Sequence, residues 1–167
     1  MDNEILVIDD NSDIRLLISG ILKDKGFSVR VAANFDQALN EINKKTPDVA
    51  VIDVKLDKGD NDGIDLLSYI KKIDDDVPVI MISGHANVQM AVDALKLGAF
   101  EFLQKPFSTE RLLNFINRAL ENVSLKKEKR ALESKLFHSY EIVGQSNSIQ
   151  KVKNLINKLS NTESRVF

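Results

Sequence analysis

Short apolar runs alternate with helical periodicities along most of this chain. Ile5-Leu6-Val7-Ile8 is a run rich in β-branched residues. Behind it, Ile14, Leu17, Ile18, Ile21 and Leu22 recur at the spacing of one helix face, and Gly26 stands where such a helix should stop. Phe27, Val29 and Val31 alternate as a strand does, and residues 35–44 place Ala38, Leu39 and Ile42 on one helical face. Pro47 breaks the chain before a third apolar run, Val49-Ala50-Val51-Ile52, which ends at Asp53. A polar loop from Lys55 to Gly63 leads into a helix from Ile64 to about Ile73. Pro78 opens Val79-Ile80-Met81-Ile82, which ends at Ser83-Gly84. Residues 88–97 read as a helix closing at Gly98, and residues 100–103 as a short strand ending at Lys105-Pro106. Ser108-Thr109-Glu110 offers an N-cap and a first-turn acid for a last helix.

A strand followed by a helix thus repeats along the chain. Three of the strands are apolar throughout, as strands are when helices cover both faces. The pattern predicts an α/β fold, a doubly wound five-stranded parallel sheet, in which ligands gather beyond the carboxyl ends of the strands. In the last helix Leu112, Phe115, Ile116, Ala119, Leu120 and Val123 form a stripe suited to covering the sheet. From Leu125 to Leu136 the helix extends with charged residues and a thin seam of Leu125, Leu132 and Leu136. That stretch reads equally as a short coiled coil with a second copy or as a solvated linker. The expected organisation is a domain over residues 1–123, a helical linker over 124–138, and over 139–167 the opening of a further domain that this chain does not finish.

Composition narrows the field. Hydrophobic residues make up 43% and charged residues 29%, so a chain of 167 residues can bury a core without staples. The absence of cysteine removes disulfide scaffolds, thiolate zinc sites and cysteine nucleophiles. A net charge of -2 supplies no basic field for nucleic acid or anionic lipid. No apolar run has the length of a signal-peptide core or a membrane span, so the expected location is the cytoplasm.

The chemistry sits at the strand ends. The first strand ends at Asp9-Asp10, the third at Asp53, the fourth at Ser83 and the fifth at Lys105; the second ends at Ala33-Asn34, without obvious chemistry. Singly each is weak, since an acid after a strand is usually just solvated. On one edge of a parallel sheet they would converge. Three close carboxylates need a cation to stay ionised together, and oxygen-only donors suit Mg²⁺ with a phosphate oxygen. Asp53 could then act as a nucleophile toward a phosphoryl group, with Lys105 as a mobile charge and Ser83 as a hydrogen-bond donor.

The motifs VIDD (7–10), VIDV (51–54), MISGH (81–85) and FLQKPF (102–107) resemble those of two-component response-regulator receiver domains, over residues 4 to about 121. The resemblance implies a flavodoxin-like receiver fold and transfer of a phosphoryl group from a sensor histidine kinase to Asp53. It implies Mg²⁺ held by Asp9, Asp10, Asp53 and the backbone carbonyl of Lys55, with Asp10 the more direct ligand of the acidic pair. It gives Ser83 and Lys105 the role of sensing phosphoryl oxygens, Phe102 that of the switch aromatic, and Lys105-Pro106 a cis bond. His85 reads as a loop residue, and His138 carries no argument.

Residues 137–167 resemble the start of the AAA+ domain of σ54-dependent activators of the NtrC family. No Walker A pattern is present, so ATP binding is not expected of this chain, which reads as a truncated piece. The run DVKLDKGDNDG, Asp53 to Gly63, is longer than the usual receiver loop and lacks proline; with SGHAN and KPF it resembles the NtrX branch, partner of NtrY-type membrane kinases. Its acids Asp57, Asp60 and Asp62 read as a solvated loop or a second cation site, and the added length puts the Lys55 carbonyl in question. The implied function is a phosphorylation-controlled switch, not an enzyme. A homodimer would respond to phosphorylation and control a σ54-dependent activator. DNA and σ54-RNA polymerase would be reached through domains absent from this chain. Two alternatives are weaker. A haloacid-dehalogenase-type phosphatase needs an acid where Lys55 stands, and a phosphate-independent pseudo-receiver would not need every active-site position filled.

Overall fold

A computed structural model describes residues 3–59, 61–85 and 87–139, giving the backbone alone for 135–139. Strands β1 (Glu4–Ile8), β2 (Ser28–Ala32), β3 (Val49–Asp53), β4 (Val79–Ser83) and β5 (Glu101–Gln104) alternate with helices α1 (Ser12–Asp24), α2 (Phe35–Lys44), α3 (Asp62–Ile73), α4 (Val88–Lys96) and α5 (Thr109–Ser139). The strands form one sheet in the order β2-β1-β3-β4-β5, every pairing parallel. This is the doubly wound α/β architecture expected, with the extended last helix. The chain divides into two units, residues 1–127 and 128–167, and the sheet belongs to the first. The expected AAA+ opening lies outside the described residues, apart from the helical backbone of Ser139.

Alternation along each strand sorts side chains between two cores. Leu6, Ile8, Ala50, Ile52, Val79 and Met81 meet α2, α3 and α4 through Ala38, Ile42, Leu66, Leu67, Ile70 and Ala94. Ile5, Val7, Val49, Val51, Ile80, Ile82 and Leu103 meet α1 and α5 through Ile18, Leu22, Leu112, Ile116 and Ala119. The apolar strands β1, β3 and β4 are buried on both faces because helices cover both.

Local signals set the helix starts. Asn11, Asn34 and Asn87 each cap a helix, their side-chain oxygens accepting from the backbone N–H groups of Asp13, Gln37 and Met90. Asn34, set aside in the sequence, is therefore the start signal of α2. Gly26 and Gly98 adopt φ of 85° and 95°, the left-handed exits after α1 and α4. Two expectations need correction. Helix α3 begins at Asp62 rather than Ile64. The stretch expected as a polar loop, Lys55 to Gly63, is not simply that, because Leu56 and Asp62 within it are buried.

Candidate functional site

β1 delivers Asp9 and Asp10 to the carboxyl edge of the sheet. Asp9 is fully buried and committed: Oδ1 accepts the Asn11 N–H at 2.9 Å, and Oδ2 accepts from Lys105 Nζ at 2.6 Å. Asp10 is exposed on the wall of the cleft. The turn carrying both is held by Arg15, whose Nη1 donates to the carbonyls of Asp9 and Asp10 at 2.6 and 2.9 Å. Sequence pattern did not single out Arg15. The available signal was a cation near the start of α1, where the helix dipole disfavours positive charge unless local acceptors hold it.

β3 places Asp53 in register with Ile82 of β4, one strand away from Asp9. The residue is 6% exposed. Oδ2 accepts from Lys105 Nζ at 2.5 Å, and Oδ1 accepts the Lys55 N–H at 3.4 Å. Burial pushes the Asp53 carboxyl above the usual carboxylate value; the Asp9 charge adds to this, and the Lys105 ammonium only partly offsets it. Burial pulls Lys105 down, yet its two carboxylate partners together hold it above the ordinary lysine value. Lys105 reaches this position from the end of β5, where its N–H donates to the Ser83 carbonyl at 2.8 Å and the bond to Pro106 is cis, as expected.

Ser83 ends β4, buried, and its Oγ accepts the His85 N–H at 3.2 Å. His85 is an exposed loop residue on the cleft wall. Phe102 is half-buried and packs against the core on the α4 side of the sheet. Gly63, at the end of the run DVKLDKGDNDG, lies against the end of β3: a Cβ there would overlap the Asp53 carbonyl oxygen. Its N–H donates to the Val54 carbonyl at 2.9 Å, so the start of α3 presses directly on the end of β3.

These residues open onto a cleft of about 520 Å³, lined by Asp10, Asp53, Lys55, Ser83, His85 and Lys105 among others. Asp9, Asp10 and Asp53 each offer a carboxylate oxygen, all within 4.8 Å of one another. The donors are hard oxygens without His or Cys, beside a roomy polar cleft, so the set fits a hydrated Mg²⁺. No second cluster of possible metal ligands occurs among the described residues. The two described acids of the β3–α3 segment are engaged with backbone groups: Asp57 Oδ1 accepts from Phe35 N at 2.9 Å, and Asp62 Oδ2 from Lys58 N at 2.5 Å. Asp62 is buried, against the solvated-loop expectation, whereas Asp57 is exposed as expected and still accepts this one bond. Asp60 lies outside the described residues.

Residues 5–117 match the response regulator receiver domain family. The nitrogen assimilation regulatory protein NtrX of Azorhizobium caulinodans is 41% identical over the full 167 residues, which span 37% of that protein. The solved receiver domain of NtrX from Brucella abortus is 46% identical, with a TM-score of 0.66 over 70% of this chain and 98% of that one. A beryllofluoride-activated NtrC4 receiver domain dimer is 39% identical, with a TM-score of 0.67 over 72% of this chain and 98% of that one.

Proposed function

Because this chain belongs to the response regulator receiver domain family, we propose that it takes a phosphoryl group from a sensor histidine kinase onto Asp53 and passes the event on as a change of shape and association. One observation carries the reading: carboxylates from β1 and β3 converge within 4.8 Å, with the ammonium of β5 between Asp9 and Asp53. Asp9, Asp10, Asp53 and the Lys55 carbonyl would hold Mg²⁺, whose charge would offset the phosphoryl oxygens. Asp10 is the more direct ligand of the acidic pair, because both Asp9 oxygens already serve Asn11 and Lys105.

Asp53 is the nucleophile. Its burial disfavours the charged form and so favours converting the carboxylate into an acyl phosphate whose charge lies further out in the cleft. Lys105 then shifts from the Asp53 carboxylate to a phosphoryl oxygen. The Ser83 hydroxyl, an acceptor for His85 N–H, turns to donate to another. Phe102 follows into the space that Ser83 leaves, which alters the surface of β5 and α4.

The partner kinase is of the NtrY type, and the response is a change in homodimerisation along α5 that controls a σ54-dependent activator. The activated dimer of the similar receiver and the NtrX relatives support this extension. DNA and σ54-RNA polymerase belong to segments outside this chain. Incubation with acetyl phosphate and Mg²⁺ tests the assignment. One phosphoryl group per chain is expected, lost in Asp53→Asn and on chelation; a variant that still gains the phosphate overturns Asp53 as acceptor.

A further inference from the structure

The β3–α3 segment spends its extra length on something definite. Val54 and Leu56 are buried on either side of Lys55, which lines the cleft and gives its N–H to Asp53. Beyond them the chain is fastened in three ways. Asp57 Oδ1 accepts the N–H of Phe35, the first residue of α2, at 2.9 Å. Lys58 Nζ lies 2.6 Å from Asp36 Oδ1 and 4.9 Å from the centre of the Phe35 ring. The Lys58 N–H points the other way, to Oδ2 of Asp62, the first residue of α3 and only 6% exposed. Gly59 passes close against the same carboxylate, where an added Cβ would sit 3.0 Å from Oδ1.

We propose that Asp57, Lys58 and Asp62 are positioning residues: they clasp the lengthened segment between the N-termini of α2 and α3 and thereby hold the Lys55 main chain against Asp53 in register for cation and phosphoryl binding. A lengthened tether fastened nowhere would let Lys55 drift, because each added residue multiplies the conformations that must be excluded. Here the segment is fastened at Asp57, Lys58 and Asp62. The acids therefore act on backbone N–H groups rather than on a second cation. Asp62 matters most, since its carboxylate is buried and both Lys58 and Gly59 pack around it. Asp57 and Lys58 form the exposed arm, which couples the segment to α2. The inference rests on the phosphoacceptor reading above.

The test is a Mg²⁺ titration by calorimetry on the whole chain, paired with amide hydrogen exchange in metal-free buffer and a thermal melt. Asp62→Ala and the exposed double change Asp57→Ala/Lys58→Ala should raise the Mg²⁺ concentration for half-saturation, by about tenfold for the former as for other residues that orient metal ligands. Exchange at Lys55 and its neighbours should quicken in both. Asp62→Asn, which keeps an acceptor for the Lys58 N–H, should restore most of the affinity. Asp65→Asn, an exposed acid in the same helix, should change nothing, so loss of negative charge alone is separated from loss of the clasp. Should Asp62→Ala fail to fold, the exposed double change decides. If these variants bind Mg²⁺ as the parent does, with unchanged exchange at Lys55, the clasp is overturned. If the parent itself neither binds Mg²⁺ nor takes a phosphoryl group, the phosphoacceptor reading fails instead.

Discussion

Asp53 shows how one side chain sets a conflict that function can use. Its pKa is raised above 3.8 by burial first, with the Asp9 charge adding and the Lys105 ammonium opposing. Between that value and the higher folded one, the metal-free native chain holds a proton there that the unfolded chain has lost. Stability therefore falls as pH rises through this window. Asp53→Asn removes the titrating group. In chelator its melting temperature should lie above that of the parent at neutral pH, and the gap should close on acidification toward 3.8, where Asp53 is protonated in both states. Added Mg²⁺ should reverse the order, because binding stabilises only the form that keeps the ligand. Melts of both proteins across pH, with and without Mg²⁺, check the sign. A parent that melts higher throughout in chelator would mean that Lys105 outweighs burial. Arg15 belongs to the same scale: one guanidinium on two carbonyls fixes the turn from which Asp10 faces the cleft.

Between elements, β3 and α3 meet closely at Gly63. An alanine there would place its methyl on the Asp53 carbonyl oxygen, and main chain cannot rotate aside as a side chain can. Gly63→Ala should cost about 1–3 kcal/mol or more, as overpacking does. It should also slow phosphoryl uptake, since the atom displaced belongs to the acceptor residue. Urea denaturation and acetyl phosphate uptake on one preparation measure both; a fully stable, fully active variant would show that the segment yields freely. This contact also marks where sequence reading stops. β1, β3 and β4 were legible because period and composition are local, and so was the chemistry at their ends, because a parallel sheet gathers those ends on one edge. Asn34 capping α2 was legible in principle from residue type and place. The Gly63 approach and the Asp57 bond to Phe35, 22 positions away, were not. They join segments whose meeting only the folded chain decides, and a run of acids looks the same whether it faces water or a backbone amide.

Across the whole chain, strand order explains why the cleft lies where it does. The sheet runs β2-β1-β3-β4-β5, so the direction of winding reverses between β1 and β3. Their helices leave toward opposite faces and open a gap at the carboxyl edge. Asp9 and Asp10 stand on one side of that gap and Asp53 on the other, which is why acids distant in sequence share one site. The first unit ends after Lys127, but α5 continues to Ser139. Its apolar character changes along the way: Leu112, Ile116 and Ala119 are fully buried, whereas Leu125 and Leu132 are 59% and 61% exposed. Those leucines stand two helical turns apart on one face, the repeat of a coiled-coil seam, among charged neighbours such as Lys126, Lys129 and Glu133. So short a seam cannot hold two helices together unaided, so any dimer it joins also needs a contribution from the sheet-bearing unit. This gives the linker and coiled-coil readings different outcomes. Changing both residues together, Leu125→Asp and Leu132→Asp, removes exposed apolar surface and touches no core residue, so the fold and phosphoryl uptake on Asp53 should persist. Burying one leucine is worth about 1.5–3 kcal/mol, so a seam that forms should lose at least about tenfold in dimer affinity. Sedimentation across a concentration series, with and without a beryllofluoride mimic of the phosphoryl group, reads the change. A mass distribution identical to the parent's in both states would assign this stretch of α5 to a solvated linker and place the signal-dependent contact on the α4 and β5 face.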